Sequence, residues 1–189
     1  MQVGDWNVFK KLVSSDWTFV ALITSFFVLC LGQWVAIPYP ILLGAGLTLF
    51  TAFDVYGYGS IDHSDRGFLT RYRIVQVIVQ WLVFILLGLL THWNTWVCFG
   101  YVYLWWMGVC DVLFYVLLGK FNVMLSYGDM PWLWWTPIGI FNRYKGRPTA
   151  GLEVFHITLY SVIIWFSIWV FRPSIHTRSI SETITYLSK

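Results

Sequence analysis

The apolar run from Thr95 to Gly119 constrains the fold of this chain more than any other feature. Its sequence, TWVCFGYVYLWWMGVCDVLFYVLLG, contains a single charged residue, Asp111. An apolar stretch of about 20 residues is long enough to cross a lipid bilayer as an α-helix. A carboxylate within a membrane is energetically costly, and such residues usually face a protein interior, a cavity or a partner. Asp111 is therefore the first candidate for a functional residue.

The composition extends this interpretation to the whole chain. Of its 189 residues, 58% are hydrophobic, 21% are aromatic and only 11% are charged. A soluble domain carries about 25% charged residues. The chain contains five apolar runs, at residues 17–36, 41–56, 74–91, 95–119 and 154–171, and the longest connection between them follows the fourth run. The sequence therefore predicts one all-α domain over residues 1–189, a polytopic integral membrane bundle of about five transmembrane helices.

Two other segments are predicted to lie at the membrane surface. Residues 5–15 carry apolar side chains at helical spacing beside Lys10 and Lys11, which is typical of an interfacial helix, although an arm packed on the bundle fits equally well. Residues 129–141 are aromatic but too short to span, which indicates an interfacial or re-entrant helix. Its tryptophans belong at the depth of the headgroups, and the basic turn after it favours anionic lipid. The residues predicted to contact lipid are Trp132, Trp134, Trp135, Arg143, Lys145 and Arg147.

The distribution of basic residues predicts an orientation. Five spans place successive connections on alternate sides of the membrane, and nine of the 12 Lys and Arg residues then fall on the side of the N-terminus. Cytoplasmic connections carry an excess of Lys and Arg. We therefore expect the N-terminus in the cytoplasm and the C-terminus on the opposite side. The net charge of +3 gives no reason to expect a nucleic-acid partner.

The same topology predicts that polar side chains from four spans meet in the cytoplasmic half of the membrane. Asp54 lies near the cytoplasmic end of the second span. Asp111 lies roughly 10 Å inside the end of the fourth, at about 1.5 Å per residue. Other polar residues at this depth are Gln76, Gln80, Glu153, His156 and Tyr160. The two aspartates are candidates for general acid and base, but they could equally form ion pairs with Lys120 or the nearby arginines that fix helix packing.

Glu153 and His156 also suggest a metal site. A carboxylate and an imidazole three residues apart on a helix bind metal in helical di-metal proteins. The candidate ligands are Asp54, Asp111, Glu153, His156 and His63, and this set suits a divalent metal such as Zn, Fe or Mn. A water bound to such a metal could attack an ester or a phosphoester. In the simpler interpretation, Glu153 is a solvated acid at the start of a helix and His156 is a histidine on the inner helix face whose hydrogen bonds are satisfied within the protein.

These observations leave three functions open. The first is a membrane-embedded, hydrolase-like enzyme, dependent on a metal or on carboxylates, that acts on a lipid or amphipathic substrate at the cytoplasmic leaflet. Its catalytic residues would be Asp111, Asp54 and His156. The second is a non-catalytic accessory subunit of a larger membrane complex. The third is a small transporter or channel subunit, although five spans without an internal repeat leave little room for alternating access. Membrane lipids are the expected partners throughout, joined by other membrane subunits in the second case.

Overall fold

The computed structural model describes residues 16–59, 66–133 and 136–171. These residues form helices joined by turns, with no β-strand element among them, which confirms the predicted all-α class. Several predictions lie outside this part of the chain, namely those for residues 5–15, His63, Trp134, Trp135 and the C-terminal tail.

The helices follow one another closely along the chain. They are α1 Asp16–Leu31, α2 Tyr39–Gly59, α3 Arg66–Leu90, α4 Thr95–Trp106, α5 Val109–Leu117, α6 Phe121–Leu125, a 3-10 turn Pro131–Leu133, α7 Pro137–Tyr144 and α8 Gly151–Phe171. Side-chain caps account for two of the helix starts. Asn94 Oδ1 accepts the Val97 backbone N–H at 3.2 Å, and Thr136 caps α7, whose first residue is a proline. Such caps satisfy backbone N–H groups that have no partner within the helix.

Among the described residues, three helices have the length and apolar character needed to cross a membrane, namely Tyr39–Tyr58, Arg71–Leu90 and Gly151–Phe171. The pair α4 and α5 adds a fourth if it is counted as one broken span. The first predicted span is shorter than expected, because α1 ends at Leu31 after 16 residues. At about 1.5 Å per residue it covers about 24 Å, less than the roughly 30 Å hydrocarbon core of a bilayer. The predicted number of about five spans is therefore approximate.

The run from Thr95 to Gly119 differs from the single continuous helix that its hydropathy predicts. It breaks after Trp106, and α5 is turned by 70° from α4. Gly108 lies at the break with φ of +84°, a left-handed conformation that glycine adopts without the steric cost of a side chain. The Thr158 hydroxyl of α8 donates to the Met107 carbonyl at 2.8 Å, so a backbone acceptor at the break has a partner.

Contacts between helix ends define one end of the bundle, called the polar end below. Here α1 begins, α2 ends, α3 begins and α5 ends. Thr18 Oγ1 donates to the Leu117 carbonyl at 3.2 Å, and Val55 and Leu118 are buried in one cluster. The Tyr72 ring of α3 packs against the last turns of α2. The second half of the broken span therefore crosses towards α1 and α2 at this end.

Helix α8 starts at the polar end and runs back along α4. Two contacts establish this direction. Thr158 contacts Met107, just after the end of α4, and two turns later the Trp165 ring stacks on Trp96, near the start of α4, with centroids 5.8 Å apart. All the basic residues in the described ranges then belong to connections and helix starts at the polar end. They are Arg66, Arg71, Arg73, Lys120, Arg143, Lys145 and Arg147.

Two neighbouring glycines of α2 give a matched test of the packing against α3. A Cβ on Gly46 would lie 2.5 Å from Leu87 Cδ1, whereas a Cβ on Gly44 would meet no atom within 4 Å. We expect Gly46→Ala to lower the free energy of unfolding by about 1–3 kcal/mol, as overpacked cores do. Gly44→Ala should leave it unchanged or raise it by about 0.5–1 kcal/mol. Unfolding of the full chain in mixed micelles, followed by circular dichroism, measures both, and equal losses would contradict the packing described.

Candidate carboxylate site

Asp54 lies in α2, about one turn before the helix ends. Its carboxylate accepts hydrogen bonds from side chains of α3. The Tyr72 hydroxyl donates to Asp54 Oδ1, and it also lies 3.0 Å from the Asp54 carbonyl. Gln76 Nε2 donates to the same Oδ1 at 2.9 Å. Tyr72 and Gln76 are four residues apart on α3, so they share a helix face and reach one acceptor together. These hydrogen bonds offset the cost of burying the carboxylate and fix its orientation.

Asp111 lies in the first turn of α5, directly after the break, and is half-buried. Its neighbour Cys110 is buried. The Phe114 ring, one turn after Asp111, contacts the Tyr58 ring, one turn after Asp54 on α2, with centroids 5.8 Å apart. Asp54 and Asp111 therefore lie at corresponding positions on neighbouring helices, each one turn before this ring contact.

Aromatic rings cover the site towards the polar end. Tyr58 lies one turn after Asp54 on α2. Its ring makes edge contacts with Phe114 of α5 and with Tyr72 of α3, with centroids 5.8 and 6.5 Å apart. The carboxylate pair is thus bounded by three helices and a layer of rings that limits its contact with water.

Neither aspartate forms an ion pair with a basic side chain that the structure describes. The salt bridge found in the described part of the chain joins Arg147 and Glu153 at 2.9 Å. The partners of Asp54 are instead an uncharged phenol and an uncharged amide. The charge-neutralising role predicted as an alternative therefore finds no support from Arg71, Arg73 or Lys120.

His156 and Glu153 lie apart from the carboxylate pair. The α8 residues that face the break are Val154 and Thr158, both near Gly108. His156 lies two residues from each of them, on the opposite side of the helix, and its side chain is exposed. Glu153 accepts a hydrogen bond from Asn142 Nδ2 at 2.7 Å and pairs with Arg147, so it joins α7 to α8.

The predicted metal ligands that the structure describes are not grouped together. In residues 16–59, 66–133 and 136–171, no three His, Cys, Asp or Glu side chains come together as a group that could hold a metal ion. Glu153 and His156 do lie close together on one helix, as their spacing predicts. The Glu153 carboxylate, however, accepts a hydrogen bond from Asn142 and forms an ion pair with Arg147. His63 lies outside the described residues.

Two features of the site were missed from the sequence alone. The prediction does not include Tyr72. This residue precedes Gln76 by one helical turn, and that spacing places both side chains on one face of the helix. The break at Gly108 was also missed, because an apolar helix tolerates glycine and hydropathy does not register a left-handed residue. The residues predicted to contact lipid are partly described: Trp132, Arg143, Lys145 and Arg147 all have exposed side chains.

Comparisons of the chain with protein-family models, with curated proteins and with solved structures find no match. No relative therefore supplies a reaction or a ligand for the site.

A conservative substitution tests whether Tyr72 holds Asp54. We expect Tyr72→Phe to lower the free energy of unfolding by about 1–3 kcal/mol, because the half-buried carboxylate loses one of its hydrogen-bond donors. Tyr160→Phe is the matched control, since that α8 ring is 62% exposed. Unfolding in mixed micelles measures the difference between the two variants. Similar stabilities for both would show that the hydrogen bond contributes nothing to the fold.

Proposed function

We propose that this chain is a membrane-embedded, hydrolase-like enzyme that acts on a lipid or amphipathic substrate through the Asp54 and Asp111 carboxylates. One observation carries the proposal: Asp54 and Asp111 lie on neighbouring helices, each one turn before the contact of the Tyr58 and Phe114 rings, and Asp111 directly follows the break in an apolar run. Ionisable groups within membrane-spanning segments are costly and commonly serve function. Two carboxyl groups in electrostatic contact commonly divide acid and base roles between them.

The hydrogen bonds to Asp54 favour its assignment as the general base. Tyr72 and Gln76 fix Oδ1, so the group has a set direction from which to accept a proton from water. The water oxygen then bonds to the acyl or phosphoryl centre of an ester. Asp111 gives its proton to the departing alcohol oxygen as the bond to that oxygen breaks. The products are an acid and an alcohol, and the two carboxyl groups exchange their protonation states.

We also propose that the polar end faces the cytoplasm. The described basic residues all lie at this end, and cytoplasmic connections are enriched in Lys and Arg. Substrate would then approach from the cytoplasmic leaflet, the side on which both aspartates lie within the bundle. Cysteine-accessibility labelling of sites in the turn between α1 and α2, compared with sites near Lys120, measures the orientation.

The helix break favours a second function, proton- or ion-coupled transport. Transporters often bind their ions where a membrane helix is interrupted, at backbone groups and carboxylates near the break. Gly108 and Asp111 have this relation to each other. Transport would use the same carboxylate pair, but it would release no cleaved product.

Reconstituted protein distinguishes these functions. The full chain is placed in liposomes that contain phosphatidylethanolamine, phosphatidylglycerol, cardiolipin and a pH-sensitive dye, and the lipids are analysed by mass spectrometry. The proposal expects new acid and alcohol products with the wild-type chain and none with the Asp54→Asn/Asp111→Asn double variant. Identical products from both proteins would overturn it. Proton flux that depends on the aspartates, without any product, would replace it with the transport function.

A further inference from the structure

A cavity beside the turn that precedes α8 shares no lining residue with the carboxylate site. Its volume is about 280 Å³. This is slightly below the range of about 300–1,000 Å³ found for sites that hold drug-sized ligands. One wall is the segment 129–131, and the other is the end of α7 with the turn after it. The Met130 N–H donates to the Thr149 carbonyl at 2.8 Å and joins the two walls. The cavity therefore suits a small polar group.

The charges around this cavity are balanced and lie on separate walls. Arg143 and Arg147 line one wall, and Asp129 lines the other. Glu153 pairs with Arg147 through Nη2 and contributes a second negative charge next to the cavity. A guanidinium carries five N–H donors, so one carboxylate contact leaves Arg147 further donors. Since the two acids oppose a purely anionic ligand, the cavity favours a ligand that carries both charges.

The surroundings of the cavity are typical of the membrane surface. The candidate span Gly151–Phe171 begins two residues after Thr149, so the cavity lies at the boundary of the apolar region. On α7, Ile138 and Asn142 are buried, whereas Phe141 and Tyr144 are 53% and 87% exposed. Exposed aromatic rings beside basic residues are enriched at the depth of lipid headgroups.

We propose that this cavity binds a zwitterionic phosphate–amine headgroup, as in phosphatidylethanolamine. Arg143 and Arg147 hold the phosphate, for which the planar guanidinium provides paired donors. Asp129 receives the ammonium group from the opposite wall. The sequence predicts an anionic headgroup from the basic turn alone. Asp129 and Glu153 change that expectation, because they balance the charges of the two arginines that line the cavity, while Arg147 keeps N–H donors for a phosphate.

Native mass spectrometry of the delipidated full chain in detergent tests the proposal. Phosphatidylethanolamine and phosphatidylglycerol are added in equal amounts, and the lipid that stays bound is counted. We expect the wild-type chain to retain phosphatidylethanolamine in preference, and Arg143→Gln to retain at least five times less of it. Asp129→Asn should abolish the preference, so that the two lipids bind equally or phosphatidylglycerol binds more. Arg71→Gln is the control, because this exposed arginine lies on α3, away from the cavity.

Three results would overturn the proposal: preferential retention of phosphatidylglycerol by the wild-type chain, an unchanged preference in Asp129→Asn, or equal retention by Arg143→Gln and Arg71→Gln. If Arg143→Gln fails to fold by circular dichroism, the Asp129→Asn result decides. Competition with free phosphoethanolamine identifies the source of the headgroup. If it displaces bound phosphatidylethanolamine at the same concentration, the natural ligand is a soluble molecule. If it does not displace the lipid, the ligand is the lipid. Binding is measured without turnover, so the Asp54→Asn/Asp111→Asn variant should retain the wild-type preference even if the chain is no enzyme.

Discussion

We expect Asp111→Asn to lower the rate of product formation by the reconstituted chain by about 100-fold or more. General acid–base catalysis typically contributes about 10²–10⁴-fold to a reaction rate, and asparagine cannot donate the proton that a carboxylic acid donates. The substitution preserves the shape of the side chain and removes its acidic proton, so the half-buried site is not overpacked. The measurement is the initial rate of lipid product per mole of folded protein, determined by mass spectrometry.

The Asp54→Asn substitution and the double variant make this expectation sharper. If the two carboxylates act on one proton-transfer sequence, each single substitution removes most of the rate. Catalytic residues that act as a unit are strongly non-additive. We therefore expect the Asp54→Asn/Asp111→Asn double variant to be no more than a few-fold slower than either single variant. Rate losses that multiply in the double variant would show that the two acids act independently.

The control for this series is Asn122→Ala, an exposed polar residue of α6 near the same end of the bundle. It should have the wild-type rate. The competing structural role of Asp111 is stabilisation of α5, because an acid in the first turn of a helix interacts favourably with the helix dipole. That role alone predicts that activity follows the folded fraction measured by circular dichroism. An inactive but fully folded Asp111→Asn variant contradicts it, and a fully active one removes the catalytic role.

The depth of polar residues could be predicted from the sequence because it depends only on chain order. Apolar runs give the approximate spans, each span reverses direction, and a rise of about 1.5 Å per residue converts position into depth. Chain order predicts that Asp54 and Gln76 lie at the same depth in the bundle. In the structure, a hydrogen bond of 2.9 Å connects their side chains. Chain order also predicts that Asp111 lies in this half of the bundle, and the contact of the Phe114 and Tyr58 rings places α5 beside α2 one turn from both acids.

Features that depend on which surfaces face each other could not be predicted in this way. Glu153 and His156 occupy a spacing used by metal ligands, but spacing gives only their relation to one another. The structure shows Glu153 turned to Asn142 and Arg147 and His156 exposed. The break at Gly108 is a second case, because it depends on one backbone conformation and on a hydroxyl from α8. A hydropathy average over the run contains neither the backbone conformation of Gly108 nor the contact from α8. Hydropathy therefore predicts a straight span across residues 95–119.

The second large effect concerns the start of α8. We expect Gly151→Ala to prevent stable folding, because a Cβ at this position would lie 1.8 Å from the Met124 carbonyl oxygen. The obstacle is backbone, which cannot rotate away as a flexible side chain can. The Gly151 N–H also donates to the Tyr127 carbonyl at 2.9 Å, so the turn after α6 is tied to this residue. Relief of the clash requires α6 and α8 to separate, which exposes the buried cluster of Met124, Met130, Leu133 and Val154.

The size of this effect follows from the narrow margin by which proteins are folded. Typical unfolding free energies are about 5–15 kcal/mol, and losses beyond about 4–5 kcal/mol mark exceptional substitutions such as a backbone clash in a core. Gly128→Ala is the matched control, because a Cβ there meets no atom within 4 Å and the residue lies in the same connection. Size-exclusion chromatography and thermal unfolding of both variants in one detergent make the comparison. A Gly151→Ala chain as stable as the Gly128→Ala chain would show that α6 does not pack against the start of α8 as described.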